Sequence, residues 1–347
     1  MHELQRLLHA LQTASARGES VVLTTVLSVQ GSVYRGAGAR MLVLEAGDTV
    51  GAVSGGCLEA DIVARAPALT ESGRAEVVRY DTRTSDDGVL GLGMGCEGII
   101  ELLLEPLSAQ ALTATINLFE LLGSRRRPTT IATLTYNLNA DEAPGARALL
   151  DEEGSFFAGD AEVLQRAGDL TLEVVRPVIS LVVCGGGADA VPVTKLAHAM
   201  GWHVTVVDHR PSFANAGRFP DADAIVCMNL PERPGALANE AALDERTMAV
   251  VMAHSALHDG AYLHALLDAG ASYIGVLGPR RRTMQLLGGR AATGIPETVH
   301  SPVGLDLGAE TPDEIALAIV AEIAAVHAGR AGGMLCHRPG PIHTNRG

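Results

Sequence analysis

The chain has 347 residues, of which 47% are hydrophobic, 19% charged and only 3% aromatic, with a formal net charge of −14. This length can supply two domains, each with its own core, whereas so acidic a balance excludes sequence-independent nucleic-acid binding, which needs a cationic surface to displace counterions. No run of about 18 apolar residues occurs, which excludes a spanning helix, and five scattered cysteines without a CxxC fit a reducing cytoplasm better than a disulfide framework.

Met1 to Arg17 reads as an amphipathic helix with Leu4, Leu7, Leu8 and Leu11 on one face, without the continuous apolar core of a secretion signal. An extended run, Ser20–Val29, leads to a Gly-rich turn, Gln30–Gly38, and strands follow at Arg40–Leu44 and Thr49–Val53. A second turn, Ser54-Gly55-Gly56-Cys57, opens a helical pattern from Leu58. Val77–Tyr80 and Ile99–Leu104 read as strands around the loop Gly88–Gly98, and Ser108–Gly123 as a helix. Thr129–Tyr136 is β-rich, and Leu149–Phe157 suggests a hairpin around Glu153-Gly154. Strands and helices mix here without a βαβ rhythm, so an α+β domain is expected over 1–150, with a connecting segment over 151–176 and no visible internal repeat.

From 177 to 330 the rhythm changes. Strands at Val178–Cys184, His203–Val207, Ala224–Cys227, Met248–Met252 and Ser272–Val276 alternate with helical stretches, the signature of a parallel sheet covered on both faces. Thr311-Pro312-Asp313-Glu314 is a capping box with Pro at the first helical position, opening a last helix to about His327. Residues 331–347, rich in Gly and Pro, read as a mobile tail. The fold class expected is α/β: a C-terminal Rossmann-type doubly wound parallel sheet behind an N-terminal α+β domain.

The chemistry concentrates at turns. After the apolar run Ser180–Cys184, Gly185, Gly187 and Ala190 match G-x-G-x-x-A. The first Gly permits the tight turn, the second lets a phosphate approach the backbone around Gly186, and the small third residue lets helix pack on strand. The helix that follows presents its amides and positive dipole end to that phosphate. Asp208 ends the next strand 21 residues after Gly187, where an acid grips ribose hydroxyls. Asp189 beside the turn opposes anion binding unless it caps the helix. Arg280, Arg281 and Arg282 open a helix at a strand's carboxyl end, either to meet a phosphate or pterin carbonyls or as a solvated basic turn. His254, also at a strand end, is placed to contact a ligand; with His258 it forms an i, i+4 pair without a third metal ligand. Cys57 at a helix start and Cys96 in Gly93–Gly98 sit among glycines that leave room for a soft metal or sulfur exchange, or are small fillers; Cys184 and Cys227 lie in strands and read as core.

Several blocks in order resemble the XdhC/CoxI family, accessory proteins of xanthine dehydrogenase and related molybdenum hydroxylases. They are Gly31-Ser32 through Gly38-Ala39-Arg40-Met41, Gly55-Gly56-Cys57-Leu58-Glu59, Gly91–Cys96, the Gly185 turn, Val207–Pro211, Arg218-Phe219-Pro220, Tyr273-Ile274-Gly275 and Ser301–Ala309. The resemblance implies a cytoplasmic, dimeric protein, a cofactor chaperone more than an enzyme. It would bind molybdenum cofactor (molybdopterin or its dinucleotide form), shield it during sulfuration and deliver it to an apo-hydroxylase. A cysteine desulfurase and cofactor-synthesis enzymes are the further partners implied, with Cys57 facing the molybdenum or the incoming sulfur. The chain departs from the family pattern at Ala188-Asp189-Ala190, at Ala253-His254-Ser255-Ala256 and at Glu97. An NAD(P)-dependent oxidoreductase, with Asp208 favouring NAD, and a nucleotide-sensing scaffold are the alternatives from other classes.

Overall fold

The computed structural model describes residues 2–31, 33–81, 98–137, 144–165, 168–233 and 235–338. Two compact units divide the chain at Pro177 and Val178. No helix among the described residues is long and apolar enough to cross a membrane.

The first unit runs α1 (His2–Arg17), β1 (Val21–Gly31), β2 (Arg40–Leu44), β3 (Thr49–Gly51), α2 (Glu59–Ser72), β4 (Glu76–Asp81), β5 (Gly98–Leu107), α3 (Ala109–Ser124), β6 (Thr129–Asn137), β7 (Arg147–Leu150), β8 (Phe156–Gly159) and β9 (Gly168–Val175). Its strands form two antiparallel sheets, ordered β3-β2-β1-β5-β4 and β8-β7-β6-β9. The apolar stripe of α1 buries Leu7, Leu11 and Ala14, and α3, capped by Ser108 through Ala111 N–H, buries Leu112, Phe119 and Leu122. These side chains share one core with Leu23 and Leu42 of one sheet and Ile131 and Leu149 of the other. Each fully buried leucine or phenylalanine there contributes about 1.5–3 kcal/mol.

Two expectations are corrected here. Residues 151–176 are not a connection: β8, a 3-10 turn (Ala161–Gln165) and β9 lie within this span and complete the second sheet. The sequence also hides an internal repeat. A 16-residue helix, then three antiparallel strands, then a strand that returns beside the first, occurs twice: α1-β1-β2-β3-β5 and α3-β6-β7-β8-β9. Both central strands carry a register shift, at Val26/Ser28 and at Leu134/Tyr136. In both copies the third strand ends on a glycine with φ near +87°, Gly51 and Gly159, packed against the carbonyl of Arg40 or Arg147. In sequence the copies share the triplets Gly38-Ala39-Arg40 and Gly145-Ala146-Arg147, the strand-ending Gly51 and Gly159, and Glu105 and Glu173 at matching register.

The triplet arginines join the copies. Arg40 forks onto Glu173 of β9, with Nη1 3.0 Å from Oε1, and Arg147 forks onto Glu105 of β5 with the same 3.0 Å contact. Each arginine also donates to the carbonyl of its own Gly38 or Gly145, 2.9 Å away. Arg40 and Glu105, both of the first copy, are buried, and each is matched by an opposite charge from the second copy, Glu173 and Arg147.

The second unit comprises β10 (Ser180–Cys184), α4 (Ala190–Ala199), β11 (His203–Asp208), β12 (Ala224–Cys227), α5 (Ala236–Glu240), β13 (Met248–Val251), α6 (Ala256–Asp268), β14 (Tyr273–Val276), α7 (Arg280–Leu287), β15 (Val299–His300) and α8 (Pro312–His327). All six strands are parallel, in the order β12-β11-β10-β13-β14-β15. Successive residues of β10 point to opposite faces. Leu181 and Val183 pack with Val193 of α4 and Ile319 of α8, while Val182 and Cys184 pack with Leu263 and Leu266 of α6. This is the expected doubly wound Rossmann-type sheet, and the capping box at Thr311 and Glu314 is formed. Cys184 is core, but Cys227, on the edge strand β12, is exposed, because no further strand covers that edge. Residues 331–338 of the expected tail follow a described path with a 3-10 turn at Leu335–His337 and Gly332 against Leu305, and 339–347 lie outside the described residues.

Candidate functional site

Strands β10 and β13 are neighbours, and the chain leaves them on opposite sides of the sheet. The carboxyl ends of such a pair form the crevice where open α/β sheets take ligands. The Gly185–Gly187 turn follows β10 there. Gly185 has φ +122°, and any Cβ on it would overlap the Met252–Ala253 peptide beyond β13. A Cβ on Gly186 would lie 2.8 Å from the Phe213 carbonyl, and one on Gly187 would meet the His254 ring at 3.7 Å. Glycine is therefore demanded at the first two positions by backbone packed on both sides of the turn. Ala190, fully buried, seats α4 against the sheet.

The polar edges of the turn are held from within. Gly185 N–H donates to Val207 O (2.7 Å), Gly186 N–H to Asp208 Oδ2 (2.7 Å), and Arg218 Nε to Gly186 O (2.8 Å). The N–H groups of Gly187, Ala188 and Asp189, at the start of α4, find no acceptor among the described residues. Three unengaged amides at the positive end of a helix suit a phosphate-bearing ligand.

Asp208 differs from its expected role. It is fully buried, and its carboxylate accepts from Gly186 N–H, Arg210 N–H (2.9 Å), Arg210 Nε (2.9 Å) and Arg210 Nη2 (2.8 Å). Burial pushes its pKa up, but hydrogen bonds from Arg210 and Gly186 outweigh this and hold it at about 2. No acceptor is left for a ribose hydroxyl. Asp189 does not cap α4 either; its carboxylate lies 3.3 Å from His254 Nε2.

His254 occupies the left-handed region, φ +57°, with its side chain largely exposed. Such strain in a non-glycine residue persists only where the surroundings impose it. Next to it, fully buried Asp259 accepts from Ala253 N–H (2.8 Å) and is paired by Arg282. Arg282 is thus occupied structurally. Arg280 and Arg281 are exposed, and no hydrogen bond or ion pair among the described residues ties them to the glycine turn. Arg281 instead lines an open groove of about 500 Å3 with Gly260, Gln285 and Leu286, between α6 and α7.

The His254/His258 pair does not converge. His258 Nδ1 meets Ser255 Oγ at 3.0 Å, its Nε2 lies 3.3 Å from Asn229 Oδ1, and its ring stacks on His209 at 3.7 Å. Burial, and then the charge of His209, push its pKa below the ordinary value. No group of three metal-ligating side chains occurs among the described residues.

In the first unit, half-buried Cys57 precedes α2, as expected. The start of that helix is already taken by Glu59. Its carboxylate turns back to accept from Val53 N–H (3.2 Å), Ser54 N–H (2.7 Å), Leu58 N–H (3.2 Å) and the Ser54 hydroxyl. Ser54 Oγ in turn accepts from Gly56 and Leu58 N–H and lies 3.5 Å from Cys57 Sγ. The Tyr34 ring covers Gly55, where a Cβ would approach it to 3.6 Å. Cys96 lies outside the described residues. Sequence reasoning gave no role to Arg210, Arg218 or Ser54, although each fell within a block or turn it singled out, and it missed Phe213 and Asp259 altogether; all five hold a turn in place.

Family descriptions match both units: "XdhC and CoxI family" over residues 14–81 and "XdhC Rossmann domain" over 181–323. The chain is 33% identical over 313 residues to a probable xanthine dehydrogenase subunit of Bacillus subtilis, covering 88% of this chain and 92% of that protein. It is 28% identical over 317 residues to the molybdenum cofactor insertion chaperone PaoD of Escherichia coli, covering 89% and 84%. A solved Bacillus halodurans structure described as a xanthine dehydrogenase is similar with a TM-score of 0.78 and 29% identity, over 96% of this chain and 98% of that one.

Proposed function

Because the chain belongs to the XdhC/CoxI family, we propose that it is an accessory protein that binds molybdenum cofactor and delivers it to a xanthine dehydrogenase-type hydroxylase. The observation that carries this reading is the clamped Gly185–Gly187 turn. Its geometry is held by Asp208 and Arg218, and the amides of Gly187, Ala188 and Asp189 have no acceptor among the described residues. That donor set fits a pterin phosphate. His254 Nε2 lies 3.3 Å from the Asp189 carboxylate beside it, close enough to donate a hydrogen bond to it and draw it away from the turn's amides. Arg280 and Arg281 are exposed cations free to meet pterin carbonyls or acidic partner groups.

When bound, the cofactor supplies a molybdenum centre held by a dithiolene. Cys57 is the thiol for the metal or the incoming sulfur, since glycines on one side and the Ser54–Glu59 knot on the other present it in a fixed, accessible position. Cys96 is a second candidate. The partners in this reading are the apo-hydroxylase, a cysteine desulfurase and cofactor-synthesis enzymes, and the working form is a cytoplasmic homodimer acting as a carrier without turnover. The test is molybdenum and pterin content after gentle purification from molybdenum-replete cells making the hydroxylase. Pterin is expected with the protein; protein that carries none and takes up none on reconstitution overturns the reading.

A further inference from the structure

Asp208 stands at the end of the second strand of a Rossmann unit, where an acid ordinarily accepts from the hydroxyls of a dinucleotide's ribose. An ionised carboxylate offers about four acceptor positions. Here four donors take them: Gly186 N–H and three N–H groups of Arg210. The carboxylate is fully buried, so no further position is reached from solvent. Arg210 is itself fixed, with its guanidinium 3.7 Å above the Phe213 ring; Arg218 lies 5.0 Å from the same ring while bonded to Gly186 O. The segment after β11 thus closes on the glycine turn and seals the ribose acceptor inside.

We propose that Arg210 is a specificity-determining residue that excludes nicotinamide dinucleotides from this crevice, leaving it to anionic ligands that place no ribose diol at the end of β11. A ribose approaching Asp208 would have to strip away a bidentate guanidinium, and its hydroxyls are weaker donors than the cation they would replace. A 2′-phosphate would find the Nε and Nη2 edge of that guanidinium already forked onto Asp208. The inference rests on the proposed function only in taking this crevice as the ligand site.

Fluorescence titration with NADH and with NADPH tests it on the full chain, the Arg210→Ala and Arg210→Gln variants and the Arg210→Ala/Asp208→Asn double variant. Wild type is expected to show no saturation with either nucleotide up to about 1 mM, the upper range of ordinary substrate affinities. Arg210→Ala uncovers the carboxylate and should bind NADH about tenfold tighter or more, the worth of a hydrogen bond to a charged acceptor; the double variant should lose that gain. Arg210→Gln keeps one donor on Asp208, so it preserves the fold and should fall between. Saturation of wild type by either nucleotide below about 1 mM, or folded variants that gain nothing, overturns the proposal. Wild type that carries pterin and also binds NADH defeats this inference and leaves the proposed function intact. Wild type that carries neither does the reverse.

Discussion

The two copies of the repeat in the first unit use one frame for different ends. After Gly51 the first copy runs through Ser54-Gly55-Gly56-Cys57 into α2, and its thiol stays half-exposed. After Gly159 the second copy makes only the 3-10 turn Ala161–Gln165, and fully buried Val163 plugs the underlying core. At the same place in the frame, one copy presents a thiol on a polar knot and the other fills space. The frame is therefore the structural constant, and the segment after the third strand is where the two copies diverge.

The exchanged ion pairs are the first place to break this equivalence. Removing one partner of a buried, forked pair costs about 3–5 kcal/mol. Arg40→Ala and Arg147→Ala should each lose that much in urea unfolding, and to a similar extent. A loss confined to one of them would mean that the copies are not interchangeable as scaffolds. The plug and the thiol come next. Val163→Ala should destabilise by about 2 kcal/mol through the cavity it opens, whereas Cys57→Ala should stay within about 1 kcal/mol of wild type and lower hydroxylase maturation in the cell. Normal maturation with Cys57→Ala would remove the thiol from the function and reduce the contrast to packing.

The smallest effect concerns the knot. Burial pushes the Glu59 carboxyl up, but hydrogen bonds from Ser54, Val53 and its own amide bring it below the ordinary 4.5. A carboxyl lowered in the folded state contributes stability above its unfolded pKa and loses it as pH falls through the folded value. Wild type should therefore lose about 1 kcal/mol more than Glu59→Gln on acidification from neutrality to below about pH 4, read by thermal melts across pH. Parallel pH profiles would leave Glu59 without a role in fixing the turn.

The Rossmann half was legible because its signals are local and redundant: the apolar run Ser180–Cys184, the glycine spacing and the capping box at Thr311 each point to one structure. The repeat was not, because alternating apolar strands can be filled by many residues and the copies share only a Gly-Ala-Arg triplet and a few isolated glycines and glutamates. Its last strands, β8 and β9, carry exposed Phe156, Leu172 and Val174 and lack a clean buried face, which made 151–176 look like a connection. Asp208 shows a different limit. Its position was readable from spacing, but its availability depends on the rotamer of Arg210 two residues on, which spacing does not encode. The same holds for Glu59, whose carboxylate folds back over the turn before it instead of facing a ligand.

The crossed pairing of Arg40 with Glu173 and Arg147 with Glu105 constrains how the first unit folds. Without the second copy, Arg40 and Glu105 of the first would lose both counter-charges, Glu173 and Arg147, so a half-built state forgoes both exchanged pairs. The two copies must then order together, as one cooperative unit, without either serving as a preformed template for the other. In this respect the pair behaves as a covalently tethered dimer: the linkage that a twofold interface makes between chains is here made within one.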